Sequence, residues 1–293
     1  MLKFKPIEIQ DRSTFKTFLD EWQMESSELT FTNLFIWQKP VDIQYAIYDD
    51  VLYINMLTES PKRFFLPPIP LKQEMDYTRA LGTARQFMTE LGLPFGVRAA
   101  NTKLLQKIKE CCKEFLTFEE DRNNFDYVYT AQDLIELSGN KYHGKRNHIN
   151  KLLQEHACQY VTYDDSYKKQ CLELYEIWKL GRENTANEEM ALRAALDHMA
   201  ELELKGGMLI INGRVEAFSI GERISKDMAL IHIEKAGNIS GTFPYINQQF
   251  AEHAWCDVKY INREEDMGIP GLRKAKLSYN PIELIGKYTI RSK

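Results

Sequence analysis

Apolar residues recur along this chain at two spacings. Phe15, Phe18, Leu19 and Trp22 follow the i, i+3, i+4, i+7 rule, which predicts a helix over 12–22. "DIQYAIYDDVLYINML" instead holds two β-rich runs around Asp49-Asp50, the pattern of a hairpin. "RFFLPPIP" reads as a short strand stopped by prolines, 73–91 as a helix ended by Gly92, "FGVRAA" as a strand and "TKLLQKIKECC" as a helix. A polar stretch follows from about 119 and turns helical after Lys145, so the domain boundary is placed there, giving 1–140 and 141–293.

The second half is more regular. "CQYVTYD" predicts a strand, and the next helix buries Cys171, Leu174, Tyr175 and Trp178. A helix over about 188–204 carries Leu192, Ala195, Met199 and Leu202 on one side. "GMLIING", "VEAFSIGE" and "MALIHIEKA" then form antiparallel strands, the first two joined by Asn212-Gly213, a strong hairpin signal. A helix from about Pro244 to Cys256, the strand "VKYIN", another helix and the strand "ELIGKYTI" complete the order. The first half echoes it weakly, so the fold expected is a mixed α/β (α+β) architecture.

Composition narrows the class. With 44% hydrophobic and 27% charged residues the chain is a globular protein. Its net charge of −4 argues against general stickiness to nucleic acid, so a phosphate partner has to meet a local patch. No apolar run approaches the length of a transmembrane helix and the start lacks a secretory h-region, which predicts a soluble cytoplasmic protein without transmembrane insertion. Cys111, Cys112, Cys158, Cys171 and Cys256 lack metal-ligand spacing and read as reduced thiols; no metal site is expected.

Three blocks carry a family resemblance: "SELTFTNLFIWQ" (27–38), "GNKYHGKRNHINK" (139–151) and "INREEDMGIPGLRKAKLSYNP" (261–281). The third, the most specific, resembles the signature of the C-terminal domain of bacterial phosphatidylglycerol lysyltransferases and of their uncharacterised soluble relatives. The element order is similar to the acyl-CoA N-acyltransferase (GNAT) fold. The resemblance implies two tandem GNAT-like domains, each a mostly antiparallel sheet flanked by helices, and kinship with the Fem-type aminoacyltransferases, which take an amino acid from aminoacyl-tRNA. The multi-helix membrane part of the lysyltransferases is absent here, which leaves a lipid acceptor open to question.

Several residue groups become site candidates. In a GNAT fold the CoA pyrophosphate sits where the fourth strand opens into a helix, here near Gly237, Gly241 and Thr242. The basic glycine-rich pattern of CoA users is missing, and a glycine-rich connection before Pro244 explains the letters equally well, so CoA stays an open cofactor. Lys141, Lys145, Arg146, Asn150 and Lys151 form a face of cations and amides suited to tRNA or phosphate, or simply a solvated helix face. His232 and Glu234 share one side of their strand; either is a candidate to accept the amine proton, and either is equally a packed polar residue.

In the signature segment, Leu272, Ala275 and Tyr279 predict a short helix whose Arg273, Lys274 and Lys276 point outward. Glu264, Glu265 and Asp266 suit its N-terminal end as caps, whereas the cations are expected in its first half, near the end that disfavours them. An anionic donor would account for that. Arg273 and Lys276 are therefore expected to face the donor, Glu265 and Asp266 its amino group, and Lys276, Glu234 and Tyr279 (or Tyr288) to serve the chemistry. The function expected is an acyl or aminoacyl transferase moving an amino acid from aminoacyl-tRNA to a small-molecule or lipid-headgroup acceptor. An acetyl-CoA-dependent N-acetyltransferase and a catalytically inactive module binding tRNA or a partner are the alternatives.

Overall fold

The computed structural model describes residues 2–22, 25–57, 63–74, 77–183 and 185–293. The chain forms two compact units: 1–126 with 265–268 and 285–293, and 127–264 with 269–284. This division differs from the expected break at 140. "FDYVYT", inside the stretch read as a linker, is a buried strand, and the C-terminal residues return to the sheet of the first unit.

The first unit contains β1 (Lys5–Pro6), α1 (Arg12–Trp22), α2 (Phe31–Trp37), β2 (Gln44–Tyr48), β3 (Val51–Leu57), β4 (Arg63–Phe65), β5 (Ile69–Pro70), α3 (Tyr77–Glu90), β6 (Gly96–Asn101), α4 (Thr102–Cys112) and β7 (Leu116–Glu120). Phe15, Phe18, Leu19 and Trp22 are buried, as their spacing requires. Asp49 and Asp50, at φ 55° and 56°, make the tight turn between β2 and β3; short polar side chains tolerate that left-handed backbone.

The second unit starts with β8 (Asp126–Thr130), whose first residue belongs to the first unit. It continues through α5 (Ala131–Glu136), α6 (His143–Glu155), β9 (Cys158–Thr162), α7 (Lys168–Trp178), α8 (Ala186–Asp197), β10 (Lys205–Ile211), β11 (Arg214–Arg223), β12 (Met228–Ala236), α9 (Thr242–Trp255), β13 (Tyr260–Asn262), α10 (Pro270–Leu277) and β14 (Glu283–Ile285). Its sheet runs β14-β8-β13-β12-β11-β10-β9. Asn212 and Gly213 take φ 50° and 77° and close β10 onto β11 in the register the hairpin signal predicts. The segment "ELIGKYTI" is two strands rather than one, divided at Gly286: β15 (Lys287–Ser292) runs between β6 and β7 in the first sheet.

One feature of the second sheet positions the site. From β8 to β9 its pairs are antiparallel except β12 with β13, which run parallel and pair from Met228 to Leu230 against Tyr260 to Asn262. Past that point the ladder ends.

Candidate functional site

Glu234 and Arg263 both lie just past the end of that ladder. Arg263 Nη2 donates to Glu234 Oε1 at 2.8 Å, and Asn247 Nδ2 on α9 donates to Glu234 Oε2 at 3.2 Å. The pair is nearly dry, each side chain being 12% exposed. Beside it Glu234 and Asn247 pack in a narrow cleft with Trp255, Phe250, Ile231 and Ile261.

The polar atoms here are incompletely matched. Arg263 Nη1, Asn247 Oδ1, Trp255 Nε1 and Ser219 Oγ are buried without a hydrogen-bond partner, and Ser219 stands opposite Glu234 in the β11–β12 ladder. Each such orphan costs about 1–3 kcal/mol. Two of these atoms belong to the side chains that hold Glu234, Arg263 and Asn247, and a ligand group that reached them would remove that cost.

Aromatic rings form the floor. The Arg263 guanidinium lies 4.8 Å from the ring centroid of Tyr279 and 5.7 Å from that of Tyr129. Both phenols are buried, which pushes their ionisation well above the ordinary range and leaves them as neutral hydroxyls. Tyr129 donates to Lys276 O at 2.8 Å and Tyr142 to Tyr279 O at 2.8 Å, so β8 and the start of α6 fix the end of α10. The ammonium of Lys276 bonds Arg263 O. Lys145 Nζ sits 3.9 Å above the Tyr279 ring.

The structure therefore gathers Glu234, Lys276, Tyr279 and Lys145 of the expected residues into one place in the second unit. Arg263 was missed, although it stands inside the quoted signature directly after "YIN". A charged residue immediately following a strand is the signal that could have found it.

Other expectations change. α10 spans Pro270–Leu277, so Lys274 and Lys276 occupy its last turn, the end that favours cations. Lys276 is buried and Ala275 exposed, the reverse of the expected faces, while Arg273 is half-buried on the same helix. No side chain caps α10 at Ile269. Glu265 and Asp266 belong to the first unit. There Asp266 is fully buried against Arg122 at 3.4 Å and accepts from Gly268 N at 2.8 Å, and Glu265 lies 3.9 Å from Lys287. Tyr288 also lies in the first unit.

His232 is no base at neutral pH. Its two ring nitrogens meet Glu222 at 2.9 Å and Glu264 at 3.0 Å. Burial opposes its charge, but the two carboxylates outweigh burial and raise its pKa to about 9. Gly241 (φ 93°) starts α9, and a Cβ there would come within 2.5 Å of His148 O and 2.9 Å of Leu152 on α6. Helix packing thus demands the glycine. Thr242, buried, already donates its hydroxyl to Ile239 O at 2.8 Å.

On α6, Arg146 donates to Leu137 O and to Gly139 O at 2.7 Å, Lys151 pairs with Glu155 at 3.7 Å, and Asn150 is exposed. Among the described residues no cluster of His, Cys, Asp and Glu could hold a metal, and no helix is long and apolar enough to cross a membrane.

Two mostly antiparallel sheets with flanking helices, each in its own unit, define a tandem GNAT-like protein, and solved neighbours share that fold. The family model described as "Phosphatidylglycerol lysyltransferase, C-terminal" matches residues 20–291, and the chain belongs to that family. It is 33% identical, over all of both chains, to a conserved protein of unknown function from Bacteroides thetaiotaomicron, at a TM-score of 0.90. L-PGS from Bacillus licheniformis shares the fold at 14% identity and TM-score 0.68, with 96% of this chain and 91% of that chain covered. FemX shares it at 8% identity and TM-score 0.60, with 98% and 97% covered. No curated protein matches.

Proposed function

We propose that the second unit transfers an aminoacyl group, carried as an ester on tRNA, to the amine or hydroxyl of a small molecule or lipid headgroup. The observation that carries this reading is the buried Arg263 with one partnered and one unpartnered guanidinium nitrogen. Glu234 fixes the first nitrogen. The second is a preorganised donor for the carbonyl oxygen, whose negative charge grows as the nucleophile adds.

Acyl transfer from a ribose ester differs from transfer from a thioester in its leaving group. A ribose oxygen needs a proton or a cation, whereas a thiolate needs little help. A site built from Arg263, Lys276 and Lys145 suits the more demanding leaving group. The neutral Tyr279 ring holds the guanidinium in place, and Lys276 anchors the Arg263 backbone. The family's name and the FemX-like fold support the same donor class.

The test is direct. The full chain is incubated with tRNA charged with each radiolabelled amino acid, in one arm with phosphatidylglycerol vesicles and in another with hydroxylamine as a small amine. Enzyme-dependent loss of the ester, with label appearing on an acceptor, is expected, and Arg263→Lys lowers kcat by about 10²–10³-fold, the effect of removing one oxyanion donor. Ester that decays no faster with the protein than without it refutes the reading.

A further inference from the structure

The cations of α6 differ in what they do. Lys141 pairs with Asp133, Arg146 holds two backbone carbonyls and Lys151 pairs with Glu155. Lys145 alone of these four is recorded with no hydrogen-bond acceptor or carboxylate among the described residues. Its amine is half-buried and rests on the face of Tyr279. The same ring carries Arg263, which leads to Glu234 and the unpartnered atoms beyond.

A solvent-facing phosphate contact needs none of this. An amine that is half-buried and shares its ring with a fixed guanidinium lies where burial and the neighbouring cation favour its neutral form, against the ring face and Glu234, which favour the ammonium. We infer that Lys145 is the proton acceptor of the transfer reaction: its neutral amine takes the proton that the incoming nucleophile loses as it attacks the ester carbonyl. This rests on the aminoacyl-transfer reading above.

The electrostatics agree with the geometry. Burial lowers the pKa of Lys145 to about 8, the Arg263 cation pushes the same way and Glu234 opposes both. Tyr129 and Tyr279, also at the site, are kept neutral by burial, so neither restores charge to the amine, and Lys276, whose ammonium bonds Arg263 O, adds a further cation. A base with a pKa near working pH combines a usable neutral fraction with a real affinity for the proton.

The step balances. The nucleophile's nitrogen or oxygen bonds to the carbonyl carbon, and its proton passes to Lys145 Nζ. The bond from that carbon to the ribose oxygen breaks, the ribose oxygen takes the proton from Lys145, and the amine returns to its neutral form. Nothing is oxidised or reduced.

The experiment has two readouts. Trace labelling of the full chain with acetic anhydride across pH 6–11, read peptide by peptide by mass spectrometry, reports each lysine's own titration without requiring any enzymatic activity. Lys145 is expected to inflect near 8, well below the exposed lysines. In the tRNA assay with hydroxylamine, Lys145→Met and Lys145→Arg are each expected to lower kcat by about 10²–10⁴-fold with little change in KM, and to lose the rise of rate with pH.

Arginine is the decisive variant, because it keeps the positive charge but cannot give up its proton at these pH values. A phosphate-binding Lys145 would tolerate that change. Circular dichroism and melting confirm that both variants fold. Labelling of Lys145 together with ordinary lysines, or a Lys145→Arg protein that turns over normally, overturns the inference while the transfer reading stands. A wild-type chain that transfers nothing to either acceptor overturns the transfer reading and the inference with it, whatever the labelling shows.

Discussion

A buried charge centre in one unit can be set beside a buried charge centre in the other, and the two are built on opposite plans. In the first unit Lys287 is fully buried, and its ammonium meets Asp126 at 2.6 Å, Glu28 at 2.7 Å and Ser27 Oγ at 3.0 Å. Asp126 is equally buried and accepts from Ser27 N at 2.8 Å and Ser27 Oγ at 2.9 Å. The carboxylates raise the pKa of Lys287 despite its burial, and burial pushes that of Glu28 upward. All three ammonium protons of Lys287 thus have an acceptor. In the second unit the guanidinium of Arg263 has one orphan nitrogen, Asn247 one orphan oxygen, and Lys145 no recorded acceptor. A satisfied centre stabilises a fold; an unsatisfied one is kept for something that binds. Burial and charge are common to both, so neither marks a site by itself.

The largest expected effect tests that difference. Lys287→Met leaves Asp126 as an uncompensated buried carboxylate and should cost about 3–5 kcal/mol in urea or guanidinium unfolding. Adding Asp126→Asn should restore part of the loss, because both charges then leave together. Arg263→Met should cost less, about 1–3 kcal/mol, since it removes one charged hydrogen bond and also one orphan donor. Equal costs for the two single variants would erase the distinction between the centres.

Neither centre was fully legible in the letters, and for different reasons. The hairpins were readable because their turns are local: Asp49-Asp50 and Asn212-Gly213 state their backbone requirement within two residues. The helix of Phe15 to Trp22 was readable because one side is apolar throughout. Lys287 stood in an ordinary strand pattern, and its partners lie 161 and 260 positions away at Asp126 and Ser27, beyond any periodicity. For α10 the apolar rule misled in part: Tyr279 is buried as its spacing requires, but Ala275 is exposed and Leu272 half-buried, and the stem of Lys276 takes the buried position instead. The signature block is divided between the units: Glu265 and Asp266 belong to the first, Glu264, Arg263 and the cations of α10 to the second. Only the return of the chain to the first sheet shows that.

The next effect is one of pH and belongs to the second unit. His232, 2% exposed, gains two carboxylate partners on folding and its pKa rises from 6.5 to about 9. A raised pKa means that its stabilisation is fully present below pH 6.5 and is lost as pH climbs through 9. The wild type should therefore lose on the order of 3 kcal/mol across that window relative to His232→Gln. Lys145, whose pKa is lowered, works in the opposite direction between about 8 and 10.5. Because it is present in both proteins, the difference between their stability–pH curves isolates the histidine. A difference that stays constant from pH 6 to 10 would show that the imidazolium is not held in the fold.

The smallest effect separates the cations of α10. Lys274 and Lys276 share the last helical turn, where the carbonyl end of the helix favours positive charge. Lys274 is exposed and Lys276 is buried with its ammonium on the Arg263 carbonyl. Lys274→Ala should thus remove only the helix-end interaction, about 0.3–1 kcal/mol, and that loss should shrink further in high salt. Transfer should proceed at the wild-type rate. Lys276→Met removes the same helix-end charge and also releases the backbone that carries the Arg263 guanidinium, so it should lower kcat as well as stability. The pair of variants asks whether the signature's cations matter for their charge or for where one of them is anchored. If Lys274→Ala slows transfer as much as Lys276→Met does, charge density along the helix is what the site uses, and the anchoring of Arg263 by Lys276 loses its place in the account.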